Sequence, residues 1–320
     1  MGESRTFAEL GRVEAIRQLF EGSGYAPFAE PLRFTSEAGS STVAASRLLL
    51  EGTDFNLVYF PLKHLGYKSV ISVTGELYAA LAHPRSLSLT LGVSAKLDFE
   101  QIKELWDGVV YAAKEQGYTS LSLDLVPSRN GLAISLNAAG EAKDMKRPGA
   151  QTKDLVCVSG SLGAAYLGQQ ALEHRPDDLE KYKMLVAAYL KPELPQDAVA
   201  VVEQTGIVPS YSYFVTRGLS DALLRLSRDC SLGVKVYADK MPFEGNSFAL
   251  GKELDIDPVS AAMNGGDDFR LLFVVPIARY EEFRKEFGGF DIIGHLALPE
   301  VGTVLVTPDG LEHAVSAQGW

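Results

Sequence analysis

The chain of 320 residues is 46% hydrophobic and 22% charged, and its formal net charge is −11. These values are typical of a globular protein long enough for two sizeable cores, so we expect two domains. The excess of acidic residues argues against a nucleic-acid-binding protein, which needs a basic face to displace the counterions of phosphates. A local basic pocket is still compatible with this charge.

The two cysteines, Cys157 and Cys230, are too few for a disulfide framework. No apolar signal segment opens the sequence, and no window approaches the roughly 18 consecutive apolar residues of a membrane span. We therefore predict a cytoplasmic protein with no membrane and no nucleic-acid partner. The histidines lack the i, i+4 pairing of a zinc-binding helix and are interpreted as structural or surface residues. They are His64, His83, His174, His295 and His313.

Hydrophobic periodicity predicts an alternation of helices and strands along the chain. Apolar residues at helical spacing predict helices over residues 7–20, 64–82, 99–116, 164–173, 176–190, 195–204, 219–229 and 277–287. Apolar runs and alternating patterns predict strands over residues 42–50, 56–60, 85–93, 120–126, 131–139, 154–158, 234–238, 271–275, 292–297 and 303–307. The fold class is therefore α/β (α+β). The aromatic residues of the 99–116 helix are interpreted as core.

A charged run that contains glycine and proline, residues 143–152, is the predicted domain boundary. It divides the chain into an N-terminal domain, 1–145, and a C-terminal domain, 146–320. No period of 20 to 50 residues repeats along the sequence, so a solenoid or propeller is not expected.

A glycine-acid turn, Asn264-Gly265-Gly266-Asp267-Asp268-Phe269-Arg270, runs directly into an apolar strand. Its glycines allow positive φ and a close approach of a ligand to the backbone. Its two adjacent carboxylates are suited to face a metal or a hydrogen-bond donor. From the residues alone, a tight turn with solvated acids is the favoured interpretation.

A second glycine turn, Ser159-Gly160-Ser161-Leu162-Gly163, stands between a predicted strand and an alanine-rich helix. Backbone N–H groups at a helix start, together with the helix dipole, form an anion site. A serine N-cap with close helix packing explains the same residues, and the sequence does not decide between the two. The pattern is not a Walker P-loop, which needs Gly-x-x-x-x-Gly-Lys-Ser/Thr.

The glycine-acid turn resembles the GGEDYELLF signature of the thiamine-monophosphate kinases, a family of the aminoimidazole-ribonucleotide-synthase-like superfamily. Four other stretches are similar to family segments: residues 61–69, 156–168, 207–209 and 293–295. The ending Ala317-Gln318-Gly319-Trp320 is similar as well. The resemblance therefore extends along nearly the whole chain.

The resemblance implies a two-domain aminoimidazole-ribonucleotide-synthase-like fold whose N-terminal strands form a barrel with those of a second copy, and hence a homodimer. It also implies ATP-dependent phosphorylation of thiamine monophosphate to thiamine diphosphate, with ATP and Mg2+ as cofactors. The nucleotide is expected in a cleft on the side of Asp124 and Arg147. Asn56–Phe60 and Arg85–Val93 are the strands considered for the dimer surface.

The resemblance also assigns roles to individual residues. Nucleotide or phosphate binding is predicted for Arg147, Gly160, Ser161, Gly163, Gly265, Gly266, Asp267 and Asp268. Residual metal ligands are predicted at Glu76 and Asp124. Catalytic residues are not identified.

Several magnesium-binding aspartates of the family are absent here. Arg47, Phe214 and Arg217 stand at three of their positions, and only Glu37 is acidic where the family has a Gly-Asp-Asp motif. Leu123, beside Asp124, replaces a glycine that lets the nucleotide approach. Because a phenyl ring and a guanidinium cannot ligate magnesium, a multi-metal cluster is not expected.

Two hypotheses follow from these departures. In the favoured one, the chain is a catalytically impaired or inactive homologue that keeps the fold and binds a ligand or a partner protein. In the alternative, it is an active kinase with a reduced magnesium site, in which Arg47 and Arg217 neutralise phosphate charge.

Overall fold

The computed structural model describes residues 12–25 and 37–317. The chain forms two compact units: Met1–Leu77 with Ala82–Asp144, and Tyr78–Leu81 with Met145–Trp320. The helices are α1 Arg12–Phe20, α2 Leu62–Ala79, α3 Phe99–Glu115, α4 Ala164–His174, α5 Lys183–Leu190, α6 Ala198–Thr205, α7 Leu219–Cys230, α8 Ser247–Leu254, α9 Pro258–Asn264 and α10 Tyr280–Glu286. The strands are β1 Ser40–Leu50, β2 Ala82–Ser94, β3 Ser120–Ser128, β4 Ala133–Lys143, β5 Leu155–Ser159, β6 Tyr211–Val215, β7 Gly233–Tyr237, β8 Arg270–Val275, β9 Phe290–Ala297, β10 Thr303–Val306 and β11 Glu312–Ala314.

The first unit contains a four-stranded sheet in the order β1-β4-β2-β3. β4 pairs antiparallel with both β1 and β2, whereas β2 and β3 are parallel. Alternation along β3 sends Leu121, Leu123 and Leu125 into the core. The opposite face carries small polar side chains, among them Ser88 and Ser122, whose hydroxyls lie 3.0 Å apart. One face of this sheet is therefore core and the other is polar.

Helices α2 and α3 cross at a pair of glycines. A Cβ atom on Gly66 would lie 1.9 Å from the carbonyl oxygen of Leu105, and one on Gly108 would lie 1.9 Å from that of Lys63. The two backbones are thus in direct contact, so neither helix tolerates a side chain at the crossing. Trp106 of α3 is completely buried, and its ring centroid lies 5.0 Å from that of Phe20 on α1, which confirms its interpretation as core.

The second unit contains a seven-stranded sheet in the order β11-β10-β7-β9-β5-β8-β6. β7 and β10 are parallel, and the pairs β5–β8, β5–β9, β6–β8 and β7–β9 are antiparallel. Apolar residues of the central strands, such as Val156, Val236 and Leu272, pack with Leu223 and Leu226 of α7 in one buried cluster. The mixed α/β fold class is confirmed. No helix of the described ranges, 12–25 and 37–317, is long and apolar enough to cross a membrane.

The strand predicted over 56–60 is wrong. The side-chain oxygen of Asn56 accepts the N–H of Val58 at 2.9 Å, and its carbonyl accepts the N–H of Phe60 at 3.0 Å. These bonds close a turn, because asparagine competes with sheet pairing through its own side chain. Val58 is 89% exposed, so the apolar pattern here does not mark a strand face.

Other differences concern element ends and short elements. The helix predicted over 176–190 is a 3-10 turn at Pro176–Asp178 and a separate helix, α5. Helix α10 is likewise preceded by a 3-10 turn, Ile277–Arg279. Helices α8 and α9 and strand β6 were not predicted. The first part of the predicted 7–20 helix lies outside the described residues.

Candidate functional site

The glycine-acid turn has an unusual backbone. φ is positive at Gly266 (81°) and also at two non-glycine residues, Asp267 (60°) and Phe269 (50°). The N–H of Asp267 donates to the carbonyl of Thr216 at 2.8 Å. Gly265 is needed for a different reason, since a Cβ there would lie 2.5 Å from the Cβ of Tyr166. Left-handed non-glycine residues cost energy and persist where the surroundings fix them, as in functional turns.

The Asp268 carboxylate points into the core and caps helix α4. It accepts the N–H of Gly163 at 2.7 Å and that of Ala165 at 3.3 Å. Burial is the largest influence on this group and raises its pKa to about 6, although the two N–H donors and Arg270 act in the opposite direction. The start of α4 therefore already holds an anion, and it is the chain's own carboxylate. The sequence predicts a phosphate-facing position for Asp268, whereas the structure places it inside.

Arg270 joins the two glycine turns, and the sequence reasoning missed it. Its Nε donates to the carbonyl of Ser161 at 3.1 Å and its Nη1 to that of Glu193 at 3.1 Å. The guanidinium lies against Gly160, where a Cβ would come within 3.1 Å of the Arg270 Cζ. The sequence contained a signal for this residue: in the GGEDYELLF signature a glutamate stands where this chain has Arg270, so the charge is reversed. Phosphate binding by Gly160, Ser161, Gly163, Gly265, Gly266 and Asp267 stays a prediction.

Phe214 and Arg217, the residues that the resemblance aligns with two family aspartates, lie in opposite environments. Phe214 is completely buried on β6 and its ring stacks on Phe269, with centroids 5.5 Å apart and an interplanar angle of 18°. Arg217 is exposed in the turn between β6 and α7. An aspartate at 214 would be an unpaired carboxylate against an aromatic ring. The residues present here do not fit a magnesium ion between these two positions.

Arg147 binds backbone carbonyls of the second unit. Its Nη1 donates to Pro209 at 3.1 Å and its Nη2 to Ala79 at 3.3 Å, and the Ser212 hydroxyl donates to the same Ala79 carbonyl. Burial lowers the pKa of the guanidinium. In this arrangement Arg147 ties the Tyr78–Leu81 segment to β6, whereas the sequence predicts a phosphate contact for it.

The remaining predicted residues lie in the first unit. Glu76 is on α2 and Asp124 on β3, where alternation places it opposite the buried face. Arg47 lies on the edge strand β1, half-buried and opposite Leu136. Within residues 12–25 and 37–317, no group of three or more His, Cys, Asp or Glu is placed to hold a metal ion. Of the Gly-Asp-Asp segment, residues 34–36 lie outside the described residues, as do 318–320.

Glu37, the acid left in that segment, contributes its backbone. Its N–H donates to the Glu141 carboxylate at 2.7 Å, and Ser40 and Arg85 donate to the same carboxylate. These donors hold the pKa of Glu141 down to about 2, with the Ser40 hydroxyl as the largest influence. Glu141 thus fixes the start of β1.

A pocket of about 650 Å3 opens in the second unit beside α7 and α9. Phe243 and Phe248 contribute an edge-to-face aromatic pair to its lining, and Asp239 is an exposed acid there. Within the described residues, the buried Ser220 Oγ and Asn264 Oδ1 have no hydrogen-bond partner, and both residues line this pocket. Buried polar atoms without partners are rare, so these two atoms call for an explanation. Sequence reasoning missed this pocket because its lining comes from six separate segments.

The two mixed sheets and their flanking helices form the fold that the resemblance implies. Solved structures confirm this fold. Thiamine-monophosphate kinase from Aquifex aeolicus superposes with a TM-score of 0.73 at 22% identity, covering 96% of this chain and 99% of that one. The hydrogenase maturation protein HypE of E. coli superposes with a TM-score of 0.74 at 15% identity, covering 96% and 98%.

The sequence relatives are thiamine-monophosphate kinases, which confirms the predicted resemblance to that family. The Pyrococcus horikoshii kinase is 26% identical over 318 residues, which are 98% of this chain and 96% of the relative. The Aquifex aeolicus kinase is 22% identical over 281 residues, 87% of this chain and 89% of the relative. No family model matches the chain. One similar structure, with a TM-score of 0.70, is described as AaThiL complexed with AMPPCP and TMP.

Proposed function

We propose that this chain is a thiamine-monophosphate-kinase-like protein that binds a thiamine-type ligand but lacks the magnesium-dependent phosphoryl transfer of its relatives. The observation that carries the proposal is Phe214, fully buried and stacked on Phe269 at a position where the family has an aspartate. Phosphoryl transfer from ATP depends on divalent ions that bridge phosphate oxygens. A buried phenyl ring cannot hold such an ion. Arg217, three residues further on, is a cation and would repel the ion, whereas an aspartate would attract it.

The pocket beside α7 and α9 is the proposed ligand site. Its aromatic pair suits a planar heterocycle, and Asp239 favours a positive charge such as that of a thiazolium. The unpartnered Asn264 Oδ1 is an acceptor for an amino group, and the Ser220 hydroxyl can donate or accept. These are the groups that thiamine monophosphate, the substrate named by the relatives, would present.

An active kinase with a reduced magnesium site is the second candidate. The relatives carry the name of that activity, and a similar structure is described as a complex with AMPPCP. Exposed Arg217 is then the residue that neutralises phosphate charge in place of the metal. ATP, with or without Mg2+, is the cofactor in this case.

We also propose that the protein is a homodimer formed through the polar face of the four-stranded sheet. Leu48, Leu50 and Val126 are 55%, 41% and 41% exposed, and alternation along β1 and β3 places them with the small polar residues of that face. Exposed leucine and valine side chains on both edge strands of this face support its burial against a second copy. A partner protein remains the alternative occupant, and the proposed location is the cytoplasm.

The test is a calorimetric titration with thiamine monophosphate, and separately with a non-hydrolysable ATP analogue, each with and without magnesium. We expect thiamine monophosphate to bind without magnesium, and the ATP analogue to show no magnesium-dependent binding. Replacing Asn264 by Leu, which removes the acceptor, and Phe248 by Ala should weaken thiamine monophosphate binding, whereas Lys103→Ala on α3 is a matched surface control. Magnesium-dependent binding of the analogue, followed by thiamine diphosphate formation, would establish the kinase instead.

A further inference from the structure

A second cavity of the C-terminal unit, about 280 Å3 in volume, has a basic rim. Its lining includes Lys153, Tyr237, Lys240, Ile277, Ile292 and His295. Local basic groups stand out in a chain whose formal net charge is −11. We name this cavity the lysine pocket.

The lysine pocket lies on the other face of the seven-stranded sheet from the candidate site. Val234 and Val236 of β7 point into the core cluster that contains α7. Alternation therefore sends Lys235 and Tyr237 to the opposite face, and His295 of β9 pairs in register with Lys235. A ligand in the lysine pocket would not compete with one beside α7 and α9.

The backbone at Lys153 supports a functional role for its side chain. φ at Lys153 is 75°, in the left-handed region that glycine adopts most readily. Its N–H donates to the carbonyl of Leu296 at 2.7 Å, and the buried Asp154 carboxylate accepts the N–H of Gln151 at 2.8 Å. Glycine would adopt this backbone conformation at a lower energy, yet the residue at this position is a lysine, at the rim of the cavity.

The other polar groups form a cationic and aromatic wall. The Lys240 Nζ lies 4.6 Å from the centre of the Tyr237 ring, which stacks on the His295 imidazole with centroids 5.8 Å apart. Lys235 is paired with Glu312 at 2.5 Å. Neither Lys153 nor Lys240 forms an ion pair with any residue in the ranges that the structure describes. Two ammonium groups are therefore available at the rim.

The titration of His295 agrees with a positive local potential. Burial lowers its pKa first, and the charges of Lys235 and Lys240 lower it further. The acids near the lysine pocket include Glu312, already paired with Lys235, the exposed Asp291 on the same strand as His295, and the buried Asp154, whose carboxylate accepts the N–H of Ile277 at 3.2 Å. At neutral pH the imidazole is uncharged, so an arriving anion meets two lysines and a hydrogen-bonding ring.

We propose that the lysine pocket binds a phosphate monoester group attached to a small apolar or planar body. Lys153 and Lys240 supply two positive charges for the dianion, His295 supplies a hydrogen bond, and Tyr237 with Ile277 and Ile292 contacts the organic part. A volume of about 280 Å3 admits a small phosphorylated compound rather than a whole nucleotide. This site is independent of the proposed function.

The test follows the His295 side-chain NMR signals while phenyl phosphate is added, at constant ionic strength. Binding should shift these signals saturably and raise the pKa of His295, because the bound dianion favours imidazolium. The Lys153→Ala, Lys240→Ala double variant should weaken binding by about tenfold or more, since two charge-assisted contacts are lost. Lys252→Ala on α8 is the surface control and should bind as the wild type does.

Lys153→Gly separates function from folding. Glycine relieves the left-handed backbone, so this variant should unfold at the same or a higher temperature than the wild type and still bind phenyl phosphate more weakly. Inorganic phosphate, run in parallel, measures the part of the affinity that belongs to the phosphate group. The proposal is overturned if the His295 signals do not shift saturably, or if Lys153→Gly and the double variant bind as tightly as the wild type.

Discussion

Replacing Phe214 by Asp introduces the residue that the resemblance predicts at this position and should unfold much of the protein. Phe214 is fully buried and its ring stacks on Phe269. Truncation of a buried phenylalanine costs about 3–5 kcal/mol. A buried carboxylate without a partner adds a further cost of about 1–3 kcal/mol, or becomes protonated. The expected loss is therefore about 4 kcal/mol or more, a large share of the stability of most domains.

Urea unfolding followed by circular dichroism measures this loss, and Phe214→Leu is the matched control. Leucine keeps an apolar side chain at the position and should cost only about 1–2 kcal/mol. The reasoning fails if Phe214→Asp is as stable as Phe214→Leu, because position 214 would then be accessible to water. It fails more seriously if Phe214→Asp also gains magnesium-dependent nucleotide binding, since the metal site would then need only this one residue.

Three further outcomes are expected. Gly66→Ala places a Cβ 1.9 Å from a backbone carbonyl oxygen of α3 and should destabilise by about 3 kcal/mol or more, whereas Gly149→Ala, with open space around it, should be neutral in the same urea titration. Because the pKa of Asp268 is higher in the folded chain (about 6) than in an unfolded one, its contribution to stability is full below about pH 4 and falls as pH rises through 6. A pKa shift of about two units corresponds to about 3 kcal/mol of unfolding free energy. Asp268→Asn should abolish this pH dependence of stability in unfolding experiments between about pH 4 and 7. If the stability of the variant changes with pH as that of the wild type does, Asp268 is not the group responsible. Leu50→Asp together with Val126→Asp should convert a dimer to monomers in analytical ultracentrifugation, and a dimer that survives would place the interface elsewhere.

Long periodic segments could be predicted from the sequence because the apolar residues that form the periodic pattern are the ones that the fold buries. The helix predicted over 99–116 is observed at Phe99–Glu115, with Phe99 and Trp106 in the core as predicted. Tyr111 of the same helix, also interpreted as core, is 51% exposed, so the prediction is wrong for that residue. The short elements were harder. Asp257 before Pro258 is an N-cap followed by proline at the first helical position, a signal for α9 that the periodicity alone did not reveal.

The strand at 56–60 shows why an apolar run is not sufficient. Val58 and Phe60 follow the pattern of a strand, yet the Asn56 side chain closes a turn within the same residues. Such a segment can pair with a neighbouring strand or form a turn through its own hydrogen bonds. The outcome depends on whether a neighbouring strand is available. Among residues 12–25 and 37–317, no strand pairs with residues 56–60; β1 ends at Leu50 and pairs with β4.

For the candidate site, residue identity alone predicts a loss of magnesium ligands, because Phe214 and Arg217 lack the oxygen donors that the ion requires, and this stays a prediction. The sequence also indicated the family, through motifs that stand far apart in the chain. Only the tertiary structure showed which contacts the predicted site residues make. Three features depend on atoms from distant segments of the chain. They are the buried position of the Asp268 carboxylate, the hydrogen bonds of Arg147 and the lining of the two pockets. Residue chemistry can be read locally, but burial and hydrogen-bond partners are properties of the packed chain.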